Sequence, residues 1–384
     1  MNVQQKENEM LNLLEKLVNI DSGSHDKEGV DQIGKELTPY FIQIGYDLEM
    51  KEQKDVGNHL VYRFGSTHAS IIIVAHMDTV FEKGTSAKRP FSIEGRRAYG
   101  PGVIDMKASL VSVIYALSYL KESGSSAYEH VQILLTSDEE IGSPTSRSLI
   151  EKEAKGKRYA LVMEPARRDG SVVTGRRGNG RYVIEVHGRA AHSGIEPEKG
   201  RSAIEELAHK IVKLHDLNDH ERGISVNVGI IAGGNAVNTI SDTAIGHIDV
   251  RVATIEQAKE MELKIEQLCA TSDVQGTNIE LTGDMSRPPM VKNKQINELY
   301  RVVKKVGAEL GLSIKDTKTG GGSDASFTAA MGIPTIDGLG PIGGYAHSEK
   351  EYLDVDSLTE RTLLLAKIIE KLAKPNENTK KEVS

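Results

Sequence analysis

The stretch Ile71–Val80, IIIVAHMDTV, decides how this chain is read. Ile71 to Ala75 is short, apolar and β-branched, the pattern of a strand covered on both faces. Packing does not ask for His76 and Asp78 at its end. Taken alone, the pair reads most simply as capping the next element, because isolated motif matches mislead.

Working outward, the same alternation recurs. A helical pattern covers Met106–Leu120, Val131–Thr136 is a second strand, and Tyr159–Met163 a third. Strands alternating with helices predict βαβ units and a mainly parallel sheet flanked by helices. In such sheets ligands gather beyond the carboxyl ends of the strands. The middle of the chain changes character. RYVIEVHG alternates like a half-exposed strand, and RSAIEELAHKIVKLHDL is an amphipathic helix. ISVNVGII and AIGHIDVRVA are strands, TIEQAKEMELKIEQLCA a helix, and TNIELTG a last strand. The order β-α-β-β-α-β predicts an inserted ferredoxin-like domain. The expected fold is therefore α/β, with residues 1–176 and 288–384 forming one domain and 177–287 the insertion. After the insertion come a helix, a Gly-rich loop, the short strand IPTIDG and a final helix from Val355. No internal repeat or low-complexity tract interrupts this pattern.

Composition narrows the function. The 384 residues are 38% hydrophobic and 27% charged, ordinary for a globular enzyme of two domains. Forty-eight basic and 55 acidic side chains give a net charge of −7, which disfavours nucleic acid or an anionic membrane as partner. Cys269 is the single cysteine, so no intrachain disulfide forms. The N-terminal MNVQQKENEMLNLLEKLVNI carries glutamates where a signal peptide needs an apolar core, and sets Met10, Leu13, Leu14 and Leu17 on one helical face. By this reading no run reaches the roughly 18 apolar residues of a membrane span. A cytoplasmic location is expected, with a frayed polar tail, KPNENTKKEVS.

Chemistry-bearing residues collect at the strand ends. His76 and Asp78 follow the first strand. Asp105 lies just before a helix in YGPGVIDMKAS, Glu139 and Glu140 follow the second strand in TSDEEIGS, and Glu164 follows the third. His347 lies in GYAHSEKEY, near the last strand. Each has a plain alternative: Asp105 an N-cap, Glu139 and Glu140 solvated charges, Glu164 a loop carboxylate before proline, His347 a satisfied loop histidine. Together these alternatives meet an energetic obstacle. Two like charges about 4 Å apart repel by roughly 4 kcal/mol at an effective dielectric near 20. Several such pairs would consume much of a stability of about 5–15 kcal/mol. Bound cations remove the problem. Two histidines and three carboxylates could ligate two divalent ions with one carboxylate shared. This mixed set suits zinc, and cobalt or manganese would also fit.

The motifs AHMDTV, YGPGVIDMKAS, TSDEEIGS, MEPA, GRAAHSG, TGGGSDAS and GYAHSEKEY, in this order, resemble a family of zinc metallopeptidases and deacylases. It comprises acetylornithine deacetylases, succinyl-diaminopimelate desuccinylases and glutamate carboxypeptidases, and the resemblance is strongest to the carboxypeptidase G type. It runs from about Leu17 to Ala373. It implies a di-zinc exopeptidase-like fold whose inserted domain serves as dimerisation or lid domain. It implies one ion on His76, Asp105 and Glu164 and another on Asp105, Glu140 and His347. Asp78 would orient His76, Glu139 would be the general base, and His192 from GRAAHSG would stabilise the oxyanion, often from the partner subunit of a homodimer.

The resemblance also implies that Asn238, Arg251 and Arg287, with main-chain N–H groups at Gly321 and Gly322, hold the substrate carboxylate. The Gly run lacks the Lys-Ser/Thr of a nucleotide-binding loop. Substrates would be small peptides or N-acyl amino acids. The main reading is a carboxypeptidase releasing a residue such as glutamate, the alternative an N-acyl-amino-acid deacylase. Two positions depart from the pattern. Relatives carry a lysine after EP that contacts the glutamate side chain, where this chain has Ser171 with Arg167, Arg168, Arg176 and Arg177 nearby. Met106 replaces a common aspartate, and the resemblance implies a cis Asp105–Met106 peptide.

Overall fold

The computed structural model describes residues 3–65 and 68–374, so most of the C-terminal tail lies outside the described residues. In chain order the strands used below are β1 (Asp47–Lys51), β2 (His59–Arg63), β3 (Ile71–His76), β4 (Val131–Thr136), β5 (Tyr159–Val162), β6 (Gly178–His187), β7 (Ser225–Gly233), β8 (Thr243–Val252), β9 (Asn278–Arg287) and β10 (Thr335–Ile336). The chain divides into two compact units. One comprises Met1–Thr174, Lys292–Lys318 and Ser323–Ser384; the other comprises Gly175–Val291 and Thr319–Gly322.

The larger unit is built on a six-stranded sheet in the order β1-β2-β4-β3-β5-β10. The β3/β4, β3/β5 and β5/β10 pairings are parallel, and β1 and β2 add an antiparallel edge. Every residue of β3 and β4 is buried, which is why both read as continuous apolar runs rather than alternating ones. His76 pairs with Thr136, so both strands end at the same level of the sheet and deliver their following loops to one edge.

Helices cover the sheet. Glu7–Val18 buries Met10, Leu13, Leu14 and Leu17, the predicted face. Ala108–Glu122 is buried almost throughout and packs against Val355–Leu372. It starts two residues later than the periodicity suggests, because Asp105 (φ −115°, ψ 91°) and Met106 (φ −132°, ψ 38°) leave helical geometry and the peptide between them is cis. The segment Val103–Glu122 does reach the length and apolarity of a membrane span, contrary to the sequence expectation. Its apolar stretch is 83% buried inside the fold, and its hydrophobicity is that of a core helix.

The smaller unit has a four-stranded antiparallel sheet in the order β7-β8-β6-β9. In its own numbering this is 2-3-1-4, the ferredoxin-like arrangement, with helices Ala203–His215 and Ile255–Cys269 as crossovers. Alternation along β6 sends Tyr182, Ile184 and Val186 into a core with Leu207, Leu214, Met261 and Ile265.

Candidate metal centre and active site

Five side chains from five separate segments converge at the carboxyl edge of the larger sheet. His76 Nε2 lies 3.2 Å from Asp105 Oδ1 and 3.7 Å from Glu164 Oε1. His347 Nε2 lies 3.2 Å from Asp105 Oδ2 and 3.1 Å from Glu140 Oε2. Asp105 thus presents one oxygen to each group. Within each triad the candidate donor atoms lie within 4.8 Å of one another.

The donor set fits a pair of divalent cations. Ligands about 2.1 Å from a tetrahedral ion stand roughly 3.4 Å apart, close to the separations seen. His76 Nδ1–H donates to the main-chain carbonyl of Asp78 at 2.9 Å, which commits Nδ1 and turns Nε2 toward Asp105 and Glu164. Glu140 Oε1 is buried with no hydrogen-bond partner among the described residues. The electrostatics ask for positive charge. Burial, with the charges of Asp105 and Glu139, pushes Glu164 well above the carboxylate range. Burial also raises Glu140. Burial acts the same way on Asp105, but hydrogen bonds from His347 and His76 override it and hold this carboxyl low. The Asp105 and Glu140 carboxylates in turn push His347 up to about 11.

A buried shell fixes the ligand loops. The Asp78 carboxylate accepts from Ser24 Oγ at 2.7 Å and from the N–H groups of Glu139 and Glu140 at 3.2 and 3.1 Å. Its Oδ1 lies 3.4 Å from His76 Nδ1. Asp78 therefore touches His76 mainly through its carbonyl, and its carboxylate anchors the Glu139–Glu140 turn. Behind that turn Asp138 Oδ2 accepts from Thr145 N and Oγ1, both at 2.7 Å. His59 bridges Thr145 and Ser137, at 2.9 Å each. The sequence reading missed His59, Asp138 and Glu351. Glu351 is fully buried and accepts from the N–H groups of Gly102, Ile104 and Asp105 at 2.9–3.0 Å. Burial is the main influence that pushes its carboxyl up to about 7. The available signal was an acidic residue four positions beyond His347, in a segment otherwise read as loop.

The remaining predicted residues belong to the smaller unit, where they form two groups. His192 pairs with Thr239 in a short ladder, and Ser193 N–H donates to Asn238 O at 3.0 Å, so His192 and Asn238 adjoin. Both side chains are exposed. Arg251 and Arg287 both stand in register with Asn179, on its two sides. Gly322 lies against Arg287, and Arg176 Nη1 donates to the carbonyls of Gly321 and Gly322 at 3.0 and 3.1 Å. Arg251 Nε also pairs with Asp249 at 2.8 Å. Arg251 is eight positions along β8 from Thr243, the end near His192, which is roughly 27 Å of strand. One smaller unit therefore does not bring Asn238 and Arg251 together.

Known proteins match this chain along most of its length. The family described as Peptidase family M20/M25/M40 matches residues 72–371. Carboxypeptidase G2 of Pseudomonas sp. (strain RS-16) is 32% identical over 369 residues, covering 94% of this chain and 88% of that protein. Succinyl-diaminopimelate desuccinylase of Thioalkalivibrio sulfidiphilus (strain HL-EbGR7) is 26% identical over 383 residues, covering 94% and 98%. Among solved structures, aminopeptidase PepT from Bacillus cereus ATCC 10987 has a TM-score of 0.78 at 23% identity, covering 96% of this chain and 99% of that one, a likeness of fold. A family match over residues 72–371, joined to a relative above 30% identity along nearly the whole chain, identifies this protein as a hydrolytic enzyme of the M20/M25/M40 peptidases.

Proposed function

We propose that this enzyme is a dinuclear metal-dependent carboxypeptidase that releases a C-terminal amino acid such as glutamate from a small peptide or N-acyl conjugate. The observation that carries the reading is Asp105, whose two oxygens face two separate histidine–carboxylate groups. His76, Asp105 and Glu164 would hold one ion, and Asp105, Glu140 and His347 the other. Zinc is the ion proposed, since mixed imidazole and carboxylate ligands suit it. When bound, such ions supply Lewis acidity, making water easier to deprotonate and the amide carbonyl more electrophilic.

The protein's own groups do the rest. Glu139, held by its main-chain N–H on Asp78, takes the proton of the attacking water and delivers it to the departing nitrogen. The C-terminal carboxylate is received by Arg251 and Arg287 and by N–H groups of the Gly321–Gly322 loop. His192 donates to the oxyanion, with Asn238 beside it. The roughly 27 Å of strand between the His192 and Arg251 ends of β8 supports a homodimer in which the two groups serve a site from different subunits. Of the arginines near Ser171, Arg176 is engaged by Gly321 and Gly322, and Arg177 donates to Ser225 Oγ at 3.2 Å. Arg168 is exposed, with its guanidinium 4.4 Å from the centroid of the Tyr345 ring, two residues from His347. Arg168 is the group we assign to an acidic side chain of the released residue. The buried lone thiol Cys269 accords with a cytoplasmic enzyme.

The desuccinylase relative supports a second reading, an N-acyl-amino-acid deacylase, which shares the chemistry and differs in which side of the amide is recognised. A substrate panel with metal-reconstituted enzyme separates them. Faster turnover of dipeptides and conjugates ending in glutamate supports the carboxypeptidase, and turnover of N-acetyl amino acids alone refutes it. Glu139→Ala is expected to retain metal and fold while losing about 10²–10⁴ in kcat. Mixed Glu139→Ala and His192→Ala chains are expected to regain activity through hybrid dimers, provided subunits exchange.

A further inference from the structure

The larger unit holds a recess that the roles assigned so far leave unused. It lies between residues 23–28 and 79–83, encloses about 720 Å³, and is bounded on one side by Glu140 and Ile141. Its chemistry is set by Val80, Phe81 and Ile141, and Val80 is 41% exposed although it directly follows buried Thr79. The cations on its rim, Lys27 and Lys83, are already paired. Lys83 lies 3.1 Å from Asp26 and 3.5 Å from Glu28, and Lys27 lies 3.0 Å from Asp31. Such a wall offers an occupant apolar contact rather than an unpaired cation.

Two observations tie the recess to the reaction. Glu140 lines it while its Oε2 lies 3.1 Å from His347 Nε2, so this one carboxylate is shared by the recess and the metal centre. Ser24, another wall residue, donates to Asp78 at 2.7 Å, and Asp78 holds the Glu139–Glu140 turn. The recess is also preformed. Thr79 N–H donates to Ser22 O at 2.8 Å and Ser24 N–H to Thr79 O at 3.2 Å, lacing the two segments together. Gly23 permits this approach, since a Cβ there would sit 2.5 Å from Phe81 O.

We propose that this recess receives the acyl group on the N-terminal side of the scissile amide and selects a large apolar one. The inference rests on the carboxypeptidase reading, in which the C-terminal carboxylate is recognised by other residues and the acyl end is left to be received beside Glu140. Val80 and Phe81 are then specificity-determining residues.

The test uses the metal-loaded full chain with N-hexanoyl-glutamate and N-acetyl-glutamate. The parent is expected to prefer the hexanoyl substrate in kcat/KM. Phe81→Ala and Val80→Asp are each expected to lower that preference roughly tenfold or more, mainly through KM, and Phe81→Leu to restore most of it. Equal losses on both substrates, or an unchanged preference, would overturn the assignment. Calorimetric titration with hexanoate and with acetate decides the matter apart from turnover. The parent should bind hexanoate at least tenfold more tightly than acetate, and Phe81→Ala should erase the difference. If the parent cleaves neither substrate, dipeptides ending in glutamate decide the carboxypeptidase reading, and the recess stands or falls on that titration.

Discussion

Glu351 accepts a hydrogen bond from the main-chain N–H of Asp105 at 3.0 Å. The same oxygen takes Ile104 N–H at 3.0 Å, and the other takes Gly102 N–H at 2.9 Å. The residue proposed to bridge two ions is thus hung from a buried carboxylate four positions beyond His347. That arrangement links the two loops that must agree on the geometry of both triads. A side chain that orients ligands without touching the ions typically controls metal affinity by about 10–100-fold. Glu351→Gln should lose affinity in that range, because its amide sets an N–H against main-chain N–H groups. Competition with a chromophoric chelator measures this. Unchanged affinity with lower turnover would show that Glu351 serves another purpose.

The same cluster predicts the response to metal removal. Glu140 and Glu164 are raised by burial, and Asp105 adds repulsion to each. Ions that bind only the folded chain stabilise it by about 2.7 kcal/mol at a free concentration one hundred times Kd. Chelation should therefore lower Tm, and zinc should restore it, as read by scanning calorimetry. Metal analysis gives a finer check. Parent enzyme should hold two ions per chain, Glu164→Gln one, and Asp105→Asn fewer than one. Retention of both ions by Asp105→Asn would contradict a shared ligand.

Arg361 carries a different kind of weight. Its buried guanidinium, pushed down to about 10 by that burial, donates to the carbonyls of Gly340, Gly170 and Gly338 at 3.0, 3.2 and 2.7 Å. Gly340 N–H in turn donates to Glu164 O at 2.9 Å, so this helix residue braces the segment beside a ligand. Arg361→Met would leave three buried acceptors without their donor, at about 1–3 kcal/mol each. Urea unfolding should report a loss of at least about 3 kcal/mol, with residual enzyme retaining its parent KM. A loss below 1 kcal/mol would mean that other donors reach those carbonyls.

What sequence reveals here follows from what each residue must do locally. β3 and β4 were legible because strands buried on both faces must be apolar throughout, and their ends were legible because His76, Glu139 and Glu140 break that rule. Charge crowding, which requires only that strand ends share an edge, singled out Asp78, Asp105, Glu139, Glu140 and Glu164 together and pointed to cations, while the choice of Asp105, Glu140 and Glu164 with His76 and His347 as ligands was implied by the family resemblance. Glu351, His59 and Asp138 stayed hidden because their partners are main-chain groups or hydroxyls, which leave no compositional trace. The start of the helix at Ala108 was misjudged because Met106 is apolar and fits helical spacing, while its backbone serves Asp105 instead. Separation of Asn238 from Arg251 was legible in AIGHIDVRVA, which puts Arg251 at the far end of a strand that begins after Asn238, but the family resemblance drew both to one carboxylate.

The last prediction concerns pH and the smaller unit. Glu206 and Lys210 are buried one turn apart, with Lys210 Nζ 3.2 Å from Glu206 Oε1 and 2.8 Å from Asp273 Oδ2. Burial alone would raise Glu206, but N–H groups of Val274 and Asp273 and the Lys210 charge outweigh it, and the carboxyl is lowered. Burial alone would lower Lys210, but Asp273 and Glu206 outweigh it, and the amine is raised. A lowered carboxyl stabilises the fold above its unfolded value, about 4.3, and loses that contribution as pH falls through the folded value. A raised amine stabilises below its unfolded value, about 10.4, and loses the contribution as pH rises through the folded value. Stability of this unit should therefore be flat between these limits and fall on either side. Lys210→Met should remove the alkaline limb and cost about 3–5 kcal/mol at pH 7, because Glu206 then lies buried without its cation. Denaturant midpoints measured from pH 3 to 11 for parent and variant would show this. An alkaline limb that persists unchanged in Lys210→Met would assign it to another group.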